Sequence, residues 1–139
     1  MQSWVLFSLL SAVSAAFVAI FGKIGLAHVD STLATTVRAV IMAGFLVITS
    51  LVLGKATLIN TIDSKALTFI MFSGIAGALS WLFYFFALKN GPAPGVAALD
   101  RTSVVFVLIF ALLFLGARLT WKSALGALFV TLGAILMSL

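Results

Sequence analysis

The sequence predicts an all-α integral membrane protein built as a bundle of five transmembrane helices. Three observations indicate this class: 64% of the residues are hydrophobic and only 8% are charged, the apolar residues fall into five long runs, and the connections between those runs are short. A water-soluble domain with so few polar residues could not cover its own surface with them. The lipid bilayer is therefore the first predicted partner of this chain.

The lengths of the apolar runs set the number of helices. A bilayer core about 30 Å thick requires roughly 20 apolar residues in each spanning helix. Five runs approach or exceed that length, over residues 3–21, 31–53, 67–88, 93–115 and 121–139. The short alternating segments of an outer-membrane barrel do not occur in the sequence. We expect a single transmembrane domain, residues 1–139, that crosses the inner membrane of the cell several times.

The first run is expected to remain in the protein as a helix. The segment "SAVSAAF" resembles a signal-peptide cleavage site, but nothing basic precedes it and the apolar run continues to Phe21. Ser11, Ala15 and Ala19 repeat every four residues, a spacing that lets helix backbones approach each other in lipid. We interpret this repeat as a packing seam within the bundle.

Local signals mark where the other four helices begin. Asp30 or Ser31 fits the N-cap of the second helix, and Pro92 and Pro94 suit the first turn of the fourth, where a missing N–H costs little. The third and fifth runs follow the polar connections "GKATLINTIDSKA" and "GARLT". They carry further pairs of small residues that we expect at helix seams: Gly74 with Ala78, and Gly126 with Gly133.

Five spans place the two termini on opposite sides of the membrane. The loops on the side of the N-terminus carry four basic residues and the loops on the other side carry two: Lys55, Lys65, Arg118 and Lys122 against Lys23 and Lys89. The positive-inside rule then favours a cytoplasmic N-terminus. A bias this small also permits insertion in both orientations.

Two charged residues lie inside the predicted spans at one depth. Arg38 comes seven residues after Ser31, and Asp100 comes seven residues after Ala93. Both helices enter from the same side, so a rise of 1.5 Å per residue puts each charge about 10 Å along its helix. A charge at this depth must be paired or line a wet cavity. We therefore expect Asp100 to compensate Arg38.

Arg101 adds a second positive charge to this region. Consecutive helical residues point about 100° apart, so Arg101 is not expected to share the direction of Asp100. Lys23, at the end of the first run, can reach the same level. The net positive charge would suit an anionic or zwitterionic solute. The alternative is a structural ion pair between Arg38 and Asp100, with Arg101 extending to the headgroups.

The third run presents a stripe of small and aromatic residues. Gly74, Gly77, Trp81 and Tyr84 fall at i, i+3, i+7 and i+10, which is one face of an α-helix. Trp81 and Tyr84 are expected near the depth of the two charges. Such a stripe could line a solute pathway. For Tyr84 the alternative is a place in the belt of aromatic residues at the membrane surface.

The sequence does not assemble the residues that catalysis would require. It has one His, three carboxylates and no Cys, and no two carboxylates share a span, so we predict no catalytic site. We interpret His28 with Asp30 as a solvated loop rather than a metal site. Glycine motifs that bind phosphate are absent, and the basic residues are dispersed at helix ends. We expect no enzyme activity, no cofactor and no nucleic-acid partner.

Five segments resemble, in this order, the half-length members of the EamA family within the drug/metabolite transporter superfamily. They are "AIFGKIGL", "STLATTVRA", "SGIAGALSWLFYFFALKNGPA", "AALDRTSVVFVLIFALLFLG" and "LTWKSALGALFVTLGAILM". The resemblance covers essentially the whole chain. It implies a five-helix unit equivalent to half of the ten-helix transporters, whose two inverted halves enclose a substrate cavity. A lone half is then expected to form a homodimer with a second copy, in an antiparallel arrangement.

One position departs from the pattern of this family. The fourth helix of these proteins is usually followed by Gly-Glu, whereas here Gly116 is followed by Ala117 and Arg118. Asp100 is then the only carboxylate inside a predicted span. The departure argues against proton coupling through a Glu. It also argues against the mechanism of the small four-helix multidrug exporters, which rely on a Glu in the membrane.

The sequence and the resemblance together predict a secondary transporter, an exporter of small polar or amphipathic metabolites that works by alternating access. Six residues are expected along the substrate pathway: Lys23, Arg38, Trp81, Tyr84, Asp100 and Arg101. The alternative is a membrane subunit or scaffold that transports nothing and whose intramembrane charges are structural.

Overall fold

The fold is all-helical, as the sequence predicts. The computed structural model describes residues 3–139, so the first two residues of the predicted domain 1–139 lie outside the described residues. No strand occurs within residues 3–139, and five helical stretches are long and apolar enough to cross a membrane. The helices are α1 (Ser3–Gly25), α2 (Ser31–Val52), α3 (Ser64–Asn90), α4 (Ala93–Asp100), α5 (Ser103–Leu115) and α6 (Trp121–Ser138). A 3₁₀ helix, Ala56–Thr61, connects α2 to α3.

Two helices are longer than their apolar runs. α1 was expected over residues 3–21 but continues to Gly25, and α3 was expected over 67–88 but covers Ser64–Asn90. The added turns contain polar residues such as Lys23 and Lys89, which favour helix C-terminal ends because their charge complements the helix dipole. An apolar run measures the thickness of the hydrocarbon rather than the length of the helix.

The predicted fourth helix, 93–115, is interrupted between α4 and α5. The N–H groups of Arg101 and Thr102 donate to the carbonyls of Ala98 and Leu99 at 3.1 and 3.0 Å. These bonds reach three residues back, whereas an α-helix reaches four. The Thr102 hydroxyl also donates to the Leu99 carbonyl at 2.7 Å, and such local bonds compete with the helical pattern. The spanning segment therefore consists of two helices joined by a tight turn.

The chain divides into two compact units. Residues 25–89 form one unit, which contains α2, the 3₁₀ helix and α3, and residues 3–24 with 90–139 form the other. The buried residues of the first unit lie at one end of its helices. They are Leu26, Ser31, Phe85 and Leu88.

Asp30 is the N-cap of α2. Its carboxylate accepts hydrogen bonds from the backbone N–H groups of Thr32 and Leu33 at 2.9 and 3.0 Å. The bond from Leu33 is the main reason that the pKa of Asp30 lies below its usual value, and the Thr32 bond and the Lys89 ammonium act in the same direction. Of the two predicted cap residues, Asp30 is therefore the cap and Ser31 is the first helical residue.

In the second unit α4 packs directly on α6. A Cβ atom at Gly95 would lie 3.1 Å from the carbonyl oxygen of Met137, closer than side chains normally approach. Glycine at this position lets the two backbones meet. Ala127 and Ala134 of α6 are buried, whereas Gly126 is exposed and has nothing within 4 Å of its Cβ position. Within its unit, α6 therefore packs through Ala127 and Ala134, each one residue after the predicted pair Gly126 and Gly133.

Candidate functional site

The most distinctive polar contact of residues 25–89 joins α2 to α3. The guanidinium carbon of Arg38 lies 3.6 Å from the centroid of the Trp81 ring and 5.5 Å from that of Phe85. Both distances are within the range of a cation–π interaction, about 6 Å. The arginine predicted to lie inside the second span is thus held against two of the aromatic side chains of the third.

The two rings against which Arg38 lies, Trp81 and Phe85, form a cluster with Tyr84. We call these three side chains the aromatic cradle. The Trp81 ring contacts Tyr84 edge-on at 5.4 Å between centroids and Phe85 at 6.1 Å. The centroids of Tyr84 and Phe85 are 6.3 Å apart. Phe85 is only 3% exposed, so the cradle is anchored in the buried part of its unit.

Helix geometry explains why these three residues come together. Positions 81, 84 and 85 are spaced i, i+3 and i+4, and such residues share one face of an α-helix. Trp81 and Tyr84 were predicted from this periodicity. Phe85 was not, although its spacing of four residues from Trp81 was the signal that could have identified it.

No carboxylate of the same unit neutralises Arg38. Within residues 25–89 the carboxylates are Asp30 and Asp63, and neither lies within 4.0 Å of the guanidinium. Asp30 caps α2, and Asp63 accepts the backbone N–H of Ala66 at 2.8 Å. The aromatic cradle therefore provides the stabilisation that an ion pair would otherwise provide.

Arg38 lies well inside the span. It is the eighth residue of α2, so a rise of 1.5 Å per residue puts it about 10 Å from the start of that helix. A positive charge at this depth is costly unless it meets water, a ligand or a polarisable surface. The position is therefore typical of a functional residue in a membrane protein.

Lys23 and Lys89 each donate to a backbone carbonyl in a loop. The Nζ of Lys23, at the end of α1, donates to the Gly91 carbonyl at 2.9 Å, within the second unit. The Nζ of Lys89, at the end of α3, donates to the Val29 carbonyl at 3.0 Å, within the first. Lys23 was predicted along the substrate pathway, and the structure shows it holding the connection that precedes α4.

Asp100 and Arg101 contact each other at the end of α4. The Nη1 of Arg101 lies 3.5 Å from the Oδ2 of Asp100, with the two side chains 55% and 37% exposed. Arg101 was not expected to share the direction of Asp100; the contact nevertheless brings the tip of the long Arg101 side chain to the Asp100 carboxylate. Exposed pairs of this kind contribute little to stability. Arg38 and Asp100 belong to different units, so their pairing stays a prediction.

The sequence departs from the family pattern immediately after Gly116, and in the structure this glycine is the end of α5. Gly116 adopts a left-handed conformation with φ of 60°, and the N–H of the following Ala117 donates to the Ala111 carbonyl at 3.1 Å. Glycine is favoured there because it has no Cβ to clash. Within residues 3–139, no group of three or more His, Cys, Asp or Glu side chains is placed to hold a metal ion.

A chain with five spanning helices and an arginine held against aromatic rings inside one of them belongs to the class of multi-pass membrane proteins. The family model of the EamA-like transporter family matches residues 2–139, and the chain is a member of that family. The predicted resemblance is thereby confirmed, and so is the assignment to membrane transporters.

A curated relative supports the same conclusion. The chain is 40% identical over 137 residues to a protein from Sinorhizobium sp described as "Uncharacterized transporter in cobO 3'region". The match covers 99% of this chain and 97% of the relative. No solved structure matches the chain. The family and the name of the relative point to a transporter rather than to an enzyme.

Proposed function

We propose that this protein is a secondary exporter of small polar or amphipathic metabolites that are anionic or zwitterionic. It works by alternating access in the inner membrane, as a homodimer of half-size units. Family membership supports transport. The observation that carries the proposal about the substrate is the position of Arg38 on the aromatic cradle.

The way in which the cradle holds Arg38 favours an anionic group as its ligand. The guanidinium lies over the face of the Trp81 ring at 3.6 Å, so the ring covers one flat face of the guanidinium. Its five N–H donors point outward in the guanidinium plane and remain directed at neighbouring groups. A carboxylate or phosphate accepts two of these donors side by side, the strongest arrangement for such a pair. Arg38 is thus stabilised without a carboxylate of its own unit and suited to receive one from a solute.

Two further observations support alternating access by a homodimer. Transporter sites are commonly formed where a spanning helix is discontinuous, and the fourth span is interrupted at Arg101 and Thr102. The relative from Sinorhizobium matches over 97% of its own length, so it too has the size of one five-helix unit. Two such units in opposite orientations would reproduce the inverted repeats on which many transporters are built.

The proposal is tested with purified protein in lipid vesicles. Uptake is measured for three labelled solutes of similar size: glutamate, glutamine and cadaverine, a diamine that has no carboxylate. We expect the protein to move glutamate or glutamine in preference to cadaverine. Arg38→Gln should reduce that transport at least tenfold. The matched control Arg118→Gln removes the same charge outside the spanning helices and should stay within twofold of the unmodified protein.

The direction of transport is tested in intact cells. Cells preloaded with the labelled solute should lose it faster when they express the chain, and Arg38→Gln should abolish the difference. Equal transport by Arg38→Gln and Arg118→Gln would contradict the proposed site. A folded protein that moves none of the solutes would instead favour the membrane scaffold.

A further inference from the structure

A second site lies at the opposite end of α2 from the N-cap. There the end of α2 and the 3₁₀ helix Ala56–Thr61 enclose a groove of about 600 Å³. Most of its lining is apolar, contributed by side chains such as Val47, Leu51, Leu58 and Ile59. Lys55 is the one charged residue of the lining. Neither the substrate site nor the proposed transport uses these residues.

A reversal of the chain at Gly54 brings the 3₁₀ helix back against α2. Gly54 has a φ of 65°, a conformation that glycine adopts without strain. The N–H of Lys55 donates to the Ser50 carbonyl at 2.9 Å and the N–H of Gly54 to the Leu51 carbonyl at 3.0 Å. This pair of bonds is the Schellman motif, which ends a helix and fixes the exit of the chain. The motif therefore fixes the position of the 3₁₀ helix, one wall of the groove, relative to the end of α2.

The groove extends across the boundary between hydrocarbon and headgroups. α2 has 22 residues, about 33 Å at 1.5 Å per residue, which is close to the thickness of a bilayer core. Its last residues therefore lie at the membrane surface, where Lys55 follows. Val47 is five residues before the end of α2, so that part of the lining lies roughly 8 Å inside the hydrocarbon.

No acidic side chain within residues 3–139 pairs with the charge in the groove. Lys55 is exposed, and none of Asp30, Asp63 and Asp100 lies within 4.0 Å of its ammonium. A lysine that remains unpaired at the membrane surface attracts the phosphate of anionic lipids. The apolar lining below it matches the acyl chains of the same molecule.

We propose that this groove binds one anionic phospholipid of the surrounding bilayer. Its phosphate contacts the Lys55 ammonium, and part of an acyl chain lies along Val47, Leu51 and Ile59. The occupant is a lipid rather than a soluble anion because the apolar part of the site opens at hydrocarbon depth. The proposal is independent of the proposed transport, and bound lipid can be measured without any transported solute.

The test compares two lysines, Lys55 immediately before the 3₁₀ helix and Lys65 in the first turn of α3. The protein is placed in nanodiscs of phosphatidylglycerol and phosphatidylcholine with identical chains, and the lipids retained by the released protein are counted by native mass spectrometry. We expect one retained phosphatidylglycerol for each chain. Lys55→Gln should lower the preference for phosphatidylglycerol about fivefold, because it removes the direct contact between the ammonium and the phosphate of the bound lipid. Lys65→Gln removes an equal charge outside the groove and should change the preference less than twofold.

A second variant tests the contribution of the apolar groove while the charge of Lys55 is kept. Ala56 lines the groove and is half-buried, so Ala56→Trp fills the space while Lys55 remains, and the retained phosphatidylglycerol should fall at least threefold. Equal losses in Lys55→Gln and Lys65→Gln would overturn the proposal, because they would indicate diffuse attraction to the surface. Efficient disulfide formation between two copies that carry Ile59→Cys would also overturn it. The chain has no other Cys, so this result would mean that a second protein molecule covers the groove.

Discussion

Arg38 and Trp81 are stacked, with the guanidinium carbon 3.6 Å from the centroid of the indole ring. The contact joins α2 to α3, and Phe85 extends it on the buried side. It positions a positive charge inside a spanning helix without a carboxylate of the same unit. The coupling between these two residues can be measured.

Arg38 and Trp81 should stabilise each other measurably. We expect a double-mutant cycle of Arg38→Gln and Trp81→Leu to give a coupling of about 1–2 kcal/mol, the range for a cation–π pair shielded from water. The measurement is the free energy of unfolding in mixed micelles for both single variants and the double variant. Additive effects of the two substitutions would mean that the stacked geometry contributes nothing.

The close approach of α4 and α6 should depend on glycine at position 95. A Cβ there would lie 3.1 Å from the Met137 carbonyl, so Gly95→Ala should destabilise the protein by about 1–3 kcal/mol through overpacking. Gly126→Ala is the matched control, because nothing lies within 4 Å of its Cβ position, and alanine in a helix should gain about 0.5–1 kcal/mol. Thermal unfolding of the two variants checks the difference, and a shift of the same sign in both would refute it.

The N-cap of α2 should lose its stabilising effect at low pH. Hydrogen bonds from Leu33 and Thr32 hold the pKa of Asp30 below 3.8, so its stabilisation is complete above 3.8 and is lost as the pH falls through the lower pKa of the folded state. Asp30→Asn keeps the acceptor but does not titrate. Unfolding midpoints between pH 6 and pH 2 should fall less steeply for Asp30→Asn than for the unmodified protein. Parallel profiles would show that Asp30 does not carry this dependence.

Asp100 should matter for transport more than for folding. Its contact with Arg101 is long and exposed, 3.5 Å with the Asp100 side chain 37% accessible, so the pair is expected to contribute less than about 1 kcal/mol. Because Asp100 is the only carboxylate inside a predicted span, Asp100→Asn should abolish transport in vesicles, while the unfolding midpoint and the proposed homodimer are retained. Loss of the assembly together with transport would instead assign Asp100 a structural role.

The lengths of the apolar runs and the spacing of residues along them predicted the spanning helices and one face of α3. Apolar runs near 20 residues identified the five spans, and the spacing of Trp81 and Tyr84 identified one face of α3. The depth of Arg38 followed from a constant rise per residue. These features repeat along the chain, so a single sequence is sufficient to recognise them.

Features that depend on local competition or on packing were not predicted. The interruption of the fourth span arises because the Thr102 hydroxyl and two backbone N–H groups bond to nearby carbonyls, at the polar stretch 100–103 of a segment whose remaining residues are mostly apolar. Within its own unit α6 buries Ala127 and Ala134, whereas Gly126 is exposed. Phe85 was overlooked because an aromatic residue in an apolar run looks like any other lipid-facing side chain.

The central claim is that one five-helix chain builds a transporter by pairing with an inverted copy of itself. Reporters that function only in the cytoplasm or only outside it, fused to each terminus in turn, measure this directly in cells that express the single chain. We expect activity of both reporters at the same terminus, because the proposed pairing requires copies that insert in opposite orientations. Activity of only one reporter at each terminus would contradict it and would indicate a parallel assembly or an unrelated partner.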